Sequence, residues 1–183
     1  MDTRLTVAFQ RFDQAELRFC RYLNRPSGIL AIGSFFRIVS RLGDGWIWYA
    51  LIAVQPILSG ANGWLASAHL AATGALGALI YKLVKHHAVR ERPFITHSTI
   101  NCAAAPLDRY SFPSGHTLHA VSFALLGASY FPELALPLAA FALLVALSRV
   151  VLGLHYPTDV AAGALLGGGL AAASLQAARS LGF

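Results

Sequence analysis

From Trp46 to Tyr81 the chain contains no Asp, Glu, Lys or Arg. A spanning helix needs about 20 apolar residues, so this stretch has length for more than one pass. Ser59-Gly60-Ala61-Asn62-Gly63 interrupts it with a turn signal. The pattern predicts two helices, over 46–59 and 64–85, joined by a tight uncharged hairpin. Composition agrees: 56% of the 183 residues are hydrophobic and 12% are charged. Soluble domains carry about 25% charged residues, so a large-cored soluble enzyme is excluded in favour of an all-α integral membrane bundle. One domain is expected over 1–183.

The remaining segments extend this reading. Residues 2–24 place Leu5, Ala8, Phe9, Phe12, Ala15, Phe19, Tyr22 and Leu23 at helical spacing with arginines between. An amphipathic helix over 1–26 is expected, lying at the membrane interface or packing on the bundle. Its arginines lack an adjoining apolar run, so no cleavable signal is expected. Residues 29–42 read either as a short first span with snorkelling Arg37 and Arg41 or as a helix against the bundle. Gly43-Asp44-Gly45 turns the chain. Residues 86–112 have no clean period and read as a functional loop. Further helices are expected over 113–130, 134–148 and 158–178.

Counting 29–42 as a span makes six transmembrane helices. The positive-inside rule then puts the arginine-rich amino terminus in the cytoplasm and 85–116 and 149–159 on the outer side. If 29–42 does not span, the parity flips. Gly163 and Gly167 form a small-residue pair suited to close helix packing, and His69 reads as a hydrogen-bonded packing residue. Cys20 and Cys102 offer neither a disulfide framework nor metal-ligand spacing. No metal, cofactor or nucleic-acid partner is expected.

Three charged clusters border these apolar segments. In KHHAVRERP, Lys85 and Arg92 would share a face if helix continued that far, although Pro93 disfavours helix at its preceding residue. Two such cations suit a multi-oxygen anion, or simply flank a membrane helix. In Pro113-Ser114-Gly115-His116, Ser114 can cap a helix whose free N–H groups bind anions, with His116 placed to exchange a proton. In SRVVLGLHYPTD, Asp159 lies four positions beyond His155 and can accept its imidazole N–H. Arg149 offers a further fork for phosphoryl oxygens or, alternatively, a structural salt bridge to Asp159.

Taken together and in order, the clusters resemble the type 2 phosphatidic acid phosphatase superfamily, whose signature is K-x6-R-P, P-S-G-H and S-R-x5-H-x3-D. Lys85, Arg92 and Pro93, then Pro113 to His116, then Ser148, Arg149, His155 and Asp159 match without departure. The resemblance covers residues 85–159 and implies a bacterial inner-membrane phosphatase. It also implies roles. His155 attacks phosphorus and forms a phosphohistidine, Asp159 orients it, and His116 protonates the leaving oxygen. Lys85, Arg92, Ser114, Gly115 and Arg149 hold the phosphoryl group. Expected substrates are undecaprenyl diphosphate, phosphatidylglycerophosphate, phosphatidate or lipid A phosphates. The rival readings are a non-catalytic headgroup binder or flippase, and a sugar-phosphate phosphatase of the same superfamily. Vanadate-dependent haloperoxidases share the pocket but are soluble.

Overall fold

The structure is a computed structural model that describes residues 3–182, without the side chains of 3–10, 58–59 and 61–62. Its principal helices are α1 (Thr3–Asn24), α2 (Leu30–Arg41), α3 (Ile47–His87), α4 (Pro93–Thr96), α5 (Gly115–Tyr130), α6 (Ala135–Val151) and α7 (Pro157–Ser180). Among the described residues there is no strand, only an isolated bridge between Glu91 and Tyr110. Among the described residues, three helices are long and apolar enough to cross a membrane: Gly63–His87, Pro132–Val151 and Pro157–Ser180.

The uncharged stretch folds as the hairpin its turn signal predicts, with helical hydrogen bonding carried almost through the turn. Gly60 adopts φ 54°, ψ −130°, a left-handed backbone that glycine enters without steric cost. Beyond it the chain doubles back. The Ser67 hydroxyl donates to the Ile52 carbonyl at 2.5 Å, and a Cβ on Gly63 would come within 2.1 Å of the Gln55 carbonyl oxygen. α3 is therefore two antiparallel arms.

α5 is central, packing against α3, α6 and α7. Its contact with α3 is stacked: Trp48 and Phe123 lie 5.5 Å apart at 13°. Its contact with α7 depends on missing side chains. A Cβ at Gly163 would stand 2.4 Å from the Ser114 carbonyl oxygen, and one at Gly167 2.3 Å from that of Leu118. The small-residue pair does serve packing. His69 does too, through a 2.6 Å hydrogen bond with the Tyr130 hydroxyl.

α2 packs against α6. Its twelve residues make a rod of about 18 Å. Just before it, Asn24 donates to the carbonyls of Asn101 and Val151; within it, Arg37 donates to Ala103; just after it, Asp44 meets His116. All these partners stand at the same end of the bundle.

α1 packs at that same end, by an unexpected face. Among the described side chains of α1, Glu16, Cys20 and Asn24, one turn apart, are buried, whereas Phe12, Phe19 and Tyr22 are exposed. Leu5, Ala8 and Phe9 of the expected apolar stripe lie outside the described side chains. The described aromatic residues thus point away from the protein, while a mixed face grips it, with Leu17, Cys20 and Leu23 beside Glu16 and Asn24.

Candidate active site

The cations converge from three elements. Lys85 is on the last turn of α3, but Arg92 is not on that helix. Helix ends at His87, and Pro93 at the first position of α4 holds Arg92 extended, at φ −73°, ψ 152°. The shared helical face is therefore replaced by a loop return. Arg92 is 2% exposed and donates to the carbonyls of Asp108 and Leu154 at 2.7 and 2.9 Å. The Asp108 carboxylate bridges the two cations, 2.7 Å from Lys85 and 2.9 Å from Arg92. Burial works against that charge, but the bonds and charges of Lys85 and Arg92 prevail and hold Asp108 below its ordinary pKa.

Arg149, at the end of α6, is buried and has no carboxylate partner among the described residues. One terminal nitrogen donates to the Ser40 hydroxyl, and its Nε is unpartnered. The alternative salt bridge to Asp159 does not form. An underpaired buried guanidinium is costly unless an anion joins it, which fits a phosphoryl site. Ser114 caps α5, its Oγ accepting from Thr117 N–H at 3.5 Å. Gly115 is seated where a Cβ would strike the Tyr81 ring at 2.9 Å, and Tyr81 in turn accepts from Lys85 at 2.6 Å.

His155 sits in the turn between α6 and α7, 3% exposed. Its Nε2 is 3.2 Å from an Arg92 nitrogen, so that atom faces the cations. Burial pushes its pKa down to about 4, with Arg149 and Arg92 acting in the same direction and Asp159 against it. The expected hydrogen bond to Asp159 is not closed, since Nδ1 and Oδ2 stand 3.8 Å apart. The carboxylate is held otherwise: Oδ2 accepts from Tyr156 N–H at 2.8 Å and Oδ1 from Arg90 at 2.9 Å. Asp159 is an N-terminal capping residue of α7, and the cap draws it towards the backbone.

His116 stands on the first turn of α5, its Nε2 3.2 Å from Asp44. It also lines a cavity of about 690 Å³ between the arms of α3 and α5, whose walls include Trp48, Tyr49, Gly74, Ala78 and Phe123. One side of the site is thus charged and buried, and the other apolar and open to the bundle flank. All eight residues expected at the site meet at this end through direct or shared contacts.

Residues 64–182 match the PAP2 superfamily. The chain belongs to that superfamily. It is 35% identical over 149 residues to a decaprenylphosphoryl-5-phosphoribose phosphatase of Mycobacterium tuberculosis, covering 79% of this chain and 77% of the relative. It is 33% identical over 165 residues to a lipid A 1-phosphatase of Rhizobium etli, covering 79% and 69%. The fold is similar to that of Aquifex aeolicus LpxE, with a TM-score of 0.76 and 24% identity over 87% of this chain and 94% of that one. The protein is accordingly a membrane phosphatase of the PAP2 superfamily.

Four charged groups of this PAP2 site were not singled out from sequence: Glu16, Asp44, Arg90 and Asp108. Asp108 and Arg90 flank signature residues in the 86–112 loop, and a charge there is the only local signal. Glu16 lies 74 positions from Arg90, a pairing no local pattern encodes.

Proposed function

We propose that this PAP2 phosphatase hydrolyses the terminal phosphate of a membrane lipid phosphate or diphosphate through a phosphohistidine on His155. Nε2 of His155 attacks phosphorus as the bond to the lipid oxygen breaks, and His116 gives that oxygen its proton. Water then attacks phosphorus, the P–N bond breaks, His116 recovers a proton from the water, and inorganic phosphate leaves. Lys85, Arg92, Arg149 and the start of α5 stabilise the charge on the equatorial oxygens, the main requirement of phosphoryl transfer. These cations take the place a metal would fill, so the reaction needs none.

The observation that carries the lipid assignment is the position of His116 in the wall of the apolar cavity. The group that protonates the leaving oxygen borders the space for a long hydrocarbon, so the leaving group is the lipid. A headgroup binder or flippase would need the cations but neither histidine. The relatives named for decaprenylphosphoryl-5-phosphoribose and lipid A favour polyprenyl and glycolipid phosphates, alongside undecaprenyl diphosphate, phosphatidylglycerophosphate and phosphatidate. The exposed aromatic residues of α1 support its seat at the membrane interface. The contacts of α2 support five crossings rather than six, so the amino terminus and the site share one side. The arginines of α1 and α2 then favour a cytoplasmic site, reversing the outer-face expectation that six spans entail.

Purified protein in detergent, with EDTA present and a panel of these lipids, tests the reaction. Phosphate should be released from at least one lipid. His155→Ala should lower release by at least about 10³-fold, the scale of nucleophile loss. No release from any lipid, or an active His155→Ala protein, overturns the reading.

A further inference from the structure

We propose that Arg90, clamped by Glu16 of α1, is a positioning residue that sets the Asp159 carboxylate behind the nucleophile. The inference rests on the proposed roles of His155 and Asp159. Arg90 is not one of the signature cations, and it does not face the phosphoryl site. One terminal nitrogen donates to Asp159 Oδ1 at 2.9 Å and to Thr158 Oγ1 at 2.7 Å. The other donates to Glu16 Oε2 at 2.7 Å, and the guanidinium carbon lies over the Tyr156 ring, 3.8 Å from its centroid.

Glu16 completes the clamp from the other side. It is 7% exposed and accepts from the Thr158 N–H at 2.8 Å and from the Thr158 hydroxyl. A buried carboxylate is retained when paired and hydrogen-bonded, and here both oxygens are occupied. The first turn of α7 is thus tied to α1 by two bonds, and Arg90 spans from Glu16 to Asp159. An Asp whose Oδ1 is fixed by Arg90 and whose Oδ2 is fixed by Tyr156 N–H has one orientation. Oδ2 is also the oxygen nearest His155 Nδ1, and a small shift of the imidazole on substrate binding closes that hydrogen bond. Without Arg90 the carboxylate can rotate and that oxygen is no longer presented.

This arrangement makes α1 part of the catalytic architecture. Its inward face holds Arg90 and Thr158, and its outward aromatic face lies at the lipid surface in the proposed seating.

Steady-state kinetics of Arg90→Gln, Arg90→Lys and Glu16→Gln test the assignment, alone and with Asp159→Asn. Arg90→Gln should lower kcat about 10- to 100-fold, the scale of losing a group that orients an active-site side chain. KM and inhibition by inorganic phosphate should stay near wild type, because Lys85, Arg92 and Arg149 remain. Arg90→Lys, which keeps the charge and one bond, should recover much of the loss, and it guards against misfolding of the Gln variant. In the Asp159→Asn background, Arg90→Gln should add little. The charged and titratable groups facing His155 are Arg92 before α4, Arg149 of α6, His116 of α5 and Asp159 of α7; Arg90 acts on it through Asp159, so removing Arg90 leaves that carboxylate less compensated and should move the acid limb of kcat/KM to higher pH. Unchanged kcat, a loss confined to KM, or fully additive losses with Asp159→Asn would overturn the clamp. An inactive His155→Ala protein beside a fully active Arg90→Gln protein would reject the clamp alone, whereas an active His155→Ala protein would reject the mechanism beneath it.

Discussion

The burial that makes His155 hard to reach also keeps it ready. An imidazole at its ordinary value of about 6.5 would be half protonated in mildly acidic medium and unable to attack phosphorus. Burial, helped by Arg149 and Arg92, brings it to about 4, so Nε2 stays unprotonated through the neutral range. The sign follows directly: protons compete with attack only as pH falls towards 4. After correction for the second ionisation of the substrate phosphate, the acid limb of kcat/KM should lie well below 6. This profile reports groups of the free enzyme. A limb that remains near 6.5 would mean that water and Asp159 stabilise the charged ring more than the buried geometry allows.

Among the elements, the crossing of α5 and α7 ties packing to chemistry. Gly163 faces Ser114, the cap of the helix that begins the phosphoryl site, and Ser114 N–H donates to the Asp159 carbonyl at 3.0 Å. Two signature segments therefore meet where a single methyl group would intrude. Gly163→Ala should destabilise the protein by about 1–3 kcal/mol, the usual range for overpacking, and lower kcat by displacing Ser114. Gly169→Ala on the same helix, with nothing within 4 Å of the added carbon, should leave melting temperature and activity unchanged or slightly raised. Thermal melts in detergent beside phosphate release decide it; equal behaviour of the two variants would deny the close crossing its role. The Gly163–Gly167 pair was legible as packing because its four-residue spacing is local, as were the hairpin at Gly60 and the ends of α5 and α7. What was not legible depends on returns through space. Arg92 reaches the site by a loop because Pro93 stops the helix, α1 buries Glu16 and Asn24 that a hydrophobic-period reading assigns to solvent, and Asp159 is drawn to Arg90 and its own helix cap.

For the whole molecule, the decisive quantity is the number of crossings. With α2 held at the site end, the two arms of α3, then α5, α6 and α7, pass back and forth five times in the proposed arrangement. Arg11, Arg18, Arg21, Arg25, Arg37 and Arg41 then share a side with the site, while the opposite side holds Ser59–Gly63, Phe131–Leu134 and the end of α7, with Glu133 and Arg179 its charges among the described residues. So lopsided a distribution of Arg orients a membrane protein with the basic side in the cytoplasm. The two cysteines make the test direct. Cys20 is buried, and burial together with Glu16 pushes its thiol up to about 12, so it stays protonated and silent to thiol reagents. Cys102 is exposed in the loop on the site face. A membrane-impermeant maleimide should therefore leave the protein unlabelled in intact bacterial cells and modify Cys102 once the membrane is permeabilised. Cys102→Ser should abolish that signal. Labelling of Cys102 in intact cells would put the site on the outer face, and with it the lipid phosphates that the enzyme can meet.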